Sequence, residues 1–165
     1  MKNSSLAWTL VAAGIAAVGV AIHLGAIVGG ESWYAFFGAP PSIVASARQG
    51  TWLAPASAAV IAVLMGVCAL YACSAAGLVR RLPLLRLALA GIATVCLVRG
   101  AVLIPFAIKH PQLFNTFEVV AAIVWAIAGI GFAVAFRNAR ARPPAGSDAR
   151  TANAPALRAP TGQPE

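Results

Sequence analysis

Charge is what this sequence has least of: 10% of its residues are charged, while 61% are hydrophobic. A water-soluble domain carries about 25% charged and about 45–50% apolar residues, so a mean hydropathy of +0.85 argues against a water-soluble globule. Acid is scarcest, with four Asp and Glu against twelve Lys and Arg. The resulting net charge of +8 would suit nucleic acid, were it not for where the basic residues lie. Arg137, Arg140, Arg142, Arg150 and Arg158 follow the last apolar stretch, and Arg80, Arg81 and Arg86 sit between two such stretches. Charge so placed flanks membrane spans rather than forming a phosphate-binding surface, so no nucleic-acid partner is expected.

Cysteine and histidine are nearly as sparse. Cys68, Cys73 and Cys96 all lie inside apolar stretches and form no C-x-x-C, which leaves no basis for a disulfide, a zinc site or thiol–quinone exchange. They read as small packing residues. A membrane b-haem needs two facing histidines. Here only His23 is inside a span, while His110 sits at a span end before Pro111. Phosphate loops, H-E-x-x-H and G-x-S-x-G are missing, and no nucleophile–base pair is visible. No catalytic residue, metal or cofactor is therefore expected, and an enzyme is not the favoured reading.

What is present is length in apolar runs. Four stretches, 6–29, 53–78, 84–108 and 117–136, each reach the roughly 20 residues that cross a hydrocarbon core. Each is apolar all round, and only helices satisfy their own backbone at that depth. The expected fold is an all-α transmembrane four-helix bundle over residues 1–137, with a disordered cytoplasmic C-terminal tail over 138–165. The tail is rich in Ala, Pro and Arg and lacks apolar residues to bury. With the N-terminus, the second connection and the tail on one side, nine basic residues oppose two, Arg48 and Lys109. That bias places both termini in the cytoplasm and the protein in the inner membrane, with the lipid bilayer as its first partner. The first apolar run is too long for a signal-peptide core and reads as an uncleaved span.

The first connection, Gly29 to Gly50, is the longest. Trp33, Tyr34, Phe36 and Phe37 suit a membrane–water boundary, and Gly38, Pro40 and Pro41 interrupt any helix there. Ser42 is placed to cap a short helix ending at Gly50. This segment is either an aromatic anchor or a lid over a cavity between helices. The second and third connections are short, which makes spans two and three, and spans three and four, antiparallel neighbours.

Ionisable groups inside a membrane are costly and point to function by default. The candidates are His23, Glu31, Arg99 and Glu118. A ~100° step per residue puts Ala12, Ala16, Gly19, His23, Ala26 and Gly30 on one narrow face of the first helix. All but His23 are small, so this face should turn into the bundle. Arg99 shares a face with Ala88, Ile92, Cys96 and Leu103, and Glu118 with Ala122, Trp125, Gly129 and Phe132. At ~1.5 Å per residue Arg99 lies roughly 15 Å below the outer boundary, with Glu118 about 7 Å above it. An arginine reaching upward spans that offset. Glu118 is thus the first choice of partner and Glu31 the second. Either these groups fix helix register, with His23 donating to a carbonyl across a close contact, or they line a pocket open to the periplasm and roofed by Trp33–Phe37. In such a pocket Arg99 would hold an anionic or carbonyl-bearing small molecule, and His23 could exchange a proton near neutral pH.

The blocks His23…Gly29-Gly-x-x-Trp33-Tyr34-x-Phe36-Phe37-Gly38-Ala39, Gly77-Leu-x-Arg-Arg81-Leu-Pro-Leu-Leu-Arg86 and Leu97-x-Arg99-Gly100 resemble a group of small uncharacterised four-helix bacterial inner-membrane proteins. In size and helix count the chain is also distantly similar to DoxX-like membrane proteins. The resemblance covers residues 6–136, and it implies a topology and no activity. Three readings follow. The first is a non-enzymatic membrane protein binding a small ligand or partner in the polar cluster. The second is a transporter or channel subunit forming a homo-oligomer around that cluster. The third is a membrane enzyme acting on a lipid or quinone through His23.

Overall fold

In the computed structural model, which describes residues 2–109 and 116–141, the chain forms seven helices and no strand among those residues. They are α1 (Lys2–Gly29), α2 (Glu31–Phe36), α3 (Pro41–Arg48), α4 (Leu53–Ala76), α5 (Leu85–Ala101), α6 (Leu103–Lys109) and α7 (Thr116–Ala141). Counting α5 and α6 as one interrupted span, Leu85–Lys109, four helical segments are long and apolar enough to cross a membrane. The chain is an all-α, multi-pass membrane protein. The third span breaks at Val102 because Pro105 has no N–H to return to the Ala101 carbonyl one turn earlier.

Helix ends differ from expectation in two places. α3 begins at Pro41 with Pro40 at the cap, and Ser42 makes no capping bond. A proline in the first turn lacks only an N–H that has no helical partner anyway, so it starts the helix without a serine cap. α7 continues to Ala141, four residues into the stretch expected to be tail. Ala139 and Ala141 favour helix, and Ala139 is buried. The remainder of the expected tail, 142–165, and His110 with the rest of the third connection, 110–115, lie outside the described residues.

Packing order is set by small residues. α1 lies between α4 and α7, and α5 packs on α7. α4 and α5 follow one another through a short connection yet touch only slightly, because each has a better-fitting partner elsewhere. A Cβ on Gly131 of α7 would sit 2.7 Å from the Trp8 carbonyl oxygen and from the Ala12 side chain of α1. A Cβ on Gly100 of α5 would sit 3.1 Å from the Ala122 carbonyl oxygen of α7. Backbones approach this closely only where side chains are missing, the usual glue between helices in lipid. Ala12, Ala16 and Ala26 of the small α1 face are buried, as are Ala122, Gly129 and Phe132 on α7.

Two buried clusters result. One, toward the end where α1 starts and α7 finishes, draws Ala12, Ala72, Leu89, Cys96 and Phe132 from all four spans. The other, at the far end, joins Ala26, Tyr34, Ala54 and Ala58 and leaves out α5 and α7. α4 ends at Ala76 with Gly77 left-handed (φ 82), the Leu78 N–H donating to the Cys73 carbonyl and the Gly77 N–H to that of Ser74. That pair of bonds closes the helix as a Schellman cap.

Candidate functional site

The ionisable and aromatic residues singled out in the sequence fall into separate groups. His23, half-buried on the small face of α1, has its Nδ1 2.8 Å from the Gly19 carbonyl oxygen, one turn earlier in its own helix. A carbonyl only accepts, so Nδ1 is the donor in this bond and carries a proton. The bond is therefore not the cross-helix contact expected. Gly19 itself is pressed against Met65 of α4.

Glu31, Trp33 and Tyr34 gather where α2 and α3 fold over α1 and α4. Arg48 donates from Nε at 2.8 Å and from Nη2 at 2.5 Å to one Glu31 carboxylate oxygen. The hydrogen bond from Arg48 holds the Glu31 carboxyl below the usual glutamate range, so this exposed clamp is fully ionised near neutral pH. Glu31 is thereby engaged with Arg48 rather than Arg99, and α1 and α5 do not meet among the described residues. Arg48 is not one of the site residues expected from the sequence. A signal for it exists there, since Glu31 and Arg48 are the only charges in the first connection.

The Trp33 indole lies across Gly25 and Gly29, where any Cβ would overlap the ring. It also packs tilted on Phe37 with centroids 5.8 Å apart. Tyr34 is 7% exposed, against Ala26, Ala54 and Ala58. Its hydroxyl has no hydrogen-bond partner among the described residues, and burial raises its pKa. A desolvated, unpaired hydroxyl costs about 1–3 kcal/mol. Tyr34→Phe is therefore expected to stabilise the purified protein by about 1 kcal/mol in chemical unfolding. Destabilisation instead would mean that the hydroxyl bonds a group beyond the described residues.

The second group is the pair expected first. Arg99 Nη2 stands 3.9 Å from Glu118 Oε2, with the side chains 48% and 30% exposed. Gly100 brings α5 against α7 beside them, and the break at Val102 ends α5 just beyond. Arg99 and Glu118, with Val102 and Leu103, line a cleft of about 210 Å³. Among the described residues none of 33–37 lines that cleft; Trp33 packs on α1, and Gly38, just beyond the aromatic run, lies against Phe117 of α7, the neighbour of Glu118. At 3.9 Å the ions attract without a direct hydrogen bond, which leaves guanidinium donors at the cleft. At about 30 Å³ per water, the space holds about seven waters or one small oxyanion, not a drug-sized molecule. No group of three or more His, Cys, Asp or Glu capable of holding a metal occurs among the described residues. No protein-family model matches the chain, and neither curated proteins nor solved structures give a match.

Proposed function

We propose that this is a non-enzymatic inner-membrane protein, with both termini cytoplasmic, that binds a small anionic or carbonyl-bearing molecule between Arg99 and Glu118 from the periplasmic side. One observation carries the reading: a loosely closed ion pair inside membrane-spanning helices, bordering a cleft with apolar walls at Val102 and Leu103. Guanidinium offers five donors in a planar fork that matches a carboxylate, and Glu118 meets them only at ion-pair distance. An ionisable residue at such depth points to a site by default, and at 3.9 Å Glu118 still neutralises Arg99 for the fold while leaving hydrogen-bonding capacity on the guanidinium.

The test is thermal stability of the full chain in nanodiscs against acetate, succinate and inorganic phosphate. One of these should raise Tm, since a ligand at 100 times its Kd adds about 2.7 kcal/mol. The same compound should leave Arg99→Gln unmoved. No shift with any of them, or an equal shift in the variant, would overturn the proposal. The half-exposed guanidinium also favours a second reading, a transporter or channel subunit whose copies meet around the pair. Arg99-dependent anion flux in liposomes, with a defined oligomer on native mass spectrometry, would select it.

A further inference from the structure

At the opposite end of the molecule the described residues carry basic charge and no acid. Arg80, Arg81, Arg86 and Arg137 cluster around the α4–α5 connection and the end of α7. Glu31 and Glu118, the only acids among the described residues, both belong to the far end. The connection is nonetheless rigidly held. Ser74 Oγ accepts from the Leu82 N–H at 3.0 Å and donates to the Arg80 carbonyl at 3.2 Å. Tyr71 donates to the Pro83 carbonyl at 3.2 Å.

Beyond Pro83 the backbone at Leu84 turns left-handed (φ 52), a conformation unfavourable for a residue with a side chain. That turn opens a groove of about 600 Å³ lined by Arg81, Arg86, Leu84, Leu87, Ala90 and Phe136. The Arg86 guanidinium carbon lies 5.7 Å from the Phe136 ring centroid, which fixes the charge at the groove wall. Two exposed arginines thus border an apolar trough that runs down α5 along the membrane-spanning part of the chain.

We infer that this groove is a binding site for an anionic phospholipid. The phosphate sits between Arg81 and Arg86, and an acyl chain lies along Leu87, Ala90 and Phe136. Charge complementarity selects an anion, since no acidic side chain of the described residues competes for these arginines. The apolar wall selects a lipid over a free phosphate, because inorganic phosphate would leave Leu84, Leu87 and Ala90 uncovered. Basic pockets at the ends of membrane helices recognise headgroups in this way, at about 1 kcal/mol per arginine.

Full-length protein purified from phosphatidylcholine nanodiscs with and without phosphatidylglycerol, and measured by native mass spectrometry, tests this. Phosphatidylglycerol should remain bound as one adduct, and phosphatidylcholine and inorganic phosphate should not. Arg81→Gln with Arg86→Gln should weaken retention about 30-fold, about fivefold for each arginine. Arg80→Gln with Arg137→Gln removes the same charge outside the groove and should change it by less than about fivefold. Ala90→Phe, which fills the trough without touching charge, should also abolish the adduct while Tm in phosphatidylcholine stays put. Equal losses in the two double variants would reduce the effect to net charge and overturn the site. So would retention by Ala90→Phe, or binding of inorganic phosphate in place of lipid.

Discussion

Gly131→Val should be among the most destabilising single substitutions in this chain, costing about 2–3 kcal/mol in equilibrium unfolding of the full protein in mild detergent. The reason is that the obstacle is backbone. A Cβ at Gly131 would stand 2.7 Å from the Trp8 carbonyl oxygen, and no rotamer change in α1 moves a carbonyl. α1 and α7 must therefore separate, and α1 is also the helix that carries α4. In lipid no hydrophobic effect draws helices together, so a seam forced open here is not offset by burial elsewhere. Gly131→Ala should cost less, because one methyl overpacks less and alanine returns about 0.5–1 kcal/mol of helix propensity. Gly14, in the same helix pair, has nothing within 4 Å of its Cβ position. Gly14→Ala should be neutral or slightly stabilising by that same propensity. If Gly131→Val unfolds at the same point as Gly14→Ala, the close approach of α1 and α7 is wrong.

The contrast between those two glycines shows what can be read from the sequence and what cannot. Periodicity alone identifies the small face of α1, and Ala12, Ala16 and Ala26 on it are buried. It does not say which helix comes to that face. A short connection limits reach, and the eight residues between α4 and α5 allow those helices to part toward better partners. Span positions are legible because twenty apolar residues have few alternatives in a membrane. The α3 start is not, since serine and proline both open helices and only the backbone at Pro40 decides between them. Tyr34 shows a further limit. As an amphipathic ring in a connection it suits a boundary, yet the fold of α2 over α1 and α4 puts it inside. Beside it Trp33 lies across Gly25 and Gly29, whose spacing of four marks a small helix face but does not say which side chain covers it. The Arg99–Glu118 geometry is accessible because both lie on spans joined in sequence, where rise per residue converts position into depth.

The same conversion predicts an asymmetry in that pair. Arg99→Leu and Glu118→Leu should each destabilise the protein, and the double variant should recover part of the stability, because removing one ion strands the other. The two single effects should not be equal. Glu118 lies in the first turn of α7, where the unpaired N–H groups of the helix start favour a carboxylate even without Arg99. Arg99 has no such substitute. It sits ten residues before Lys109 in the span, about 15 Å from that end by helical rise, and an arginine reaches only part of that distance. Glu118→Leu therefore leaves the costlier survivor. It should cost about 2–3 kcal/mol, near the insertion cost of an arginine at mid-span. Arg99→Leu should cost about 1 kcal/mol, the half-exposed pair being worth less than a fully buried one. The double variant should then lie closer to wild type than Glu118→Leu does. Chemical unfolding of the four proteins in one detergent decides the matter. Strictly additive effects would mean that the two side chains do not interact, whereas a larger effect for Arg99→Leu would show that the carboxylate, not the guanidinium, is the group the fold must neutralise.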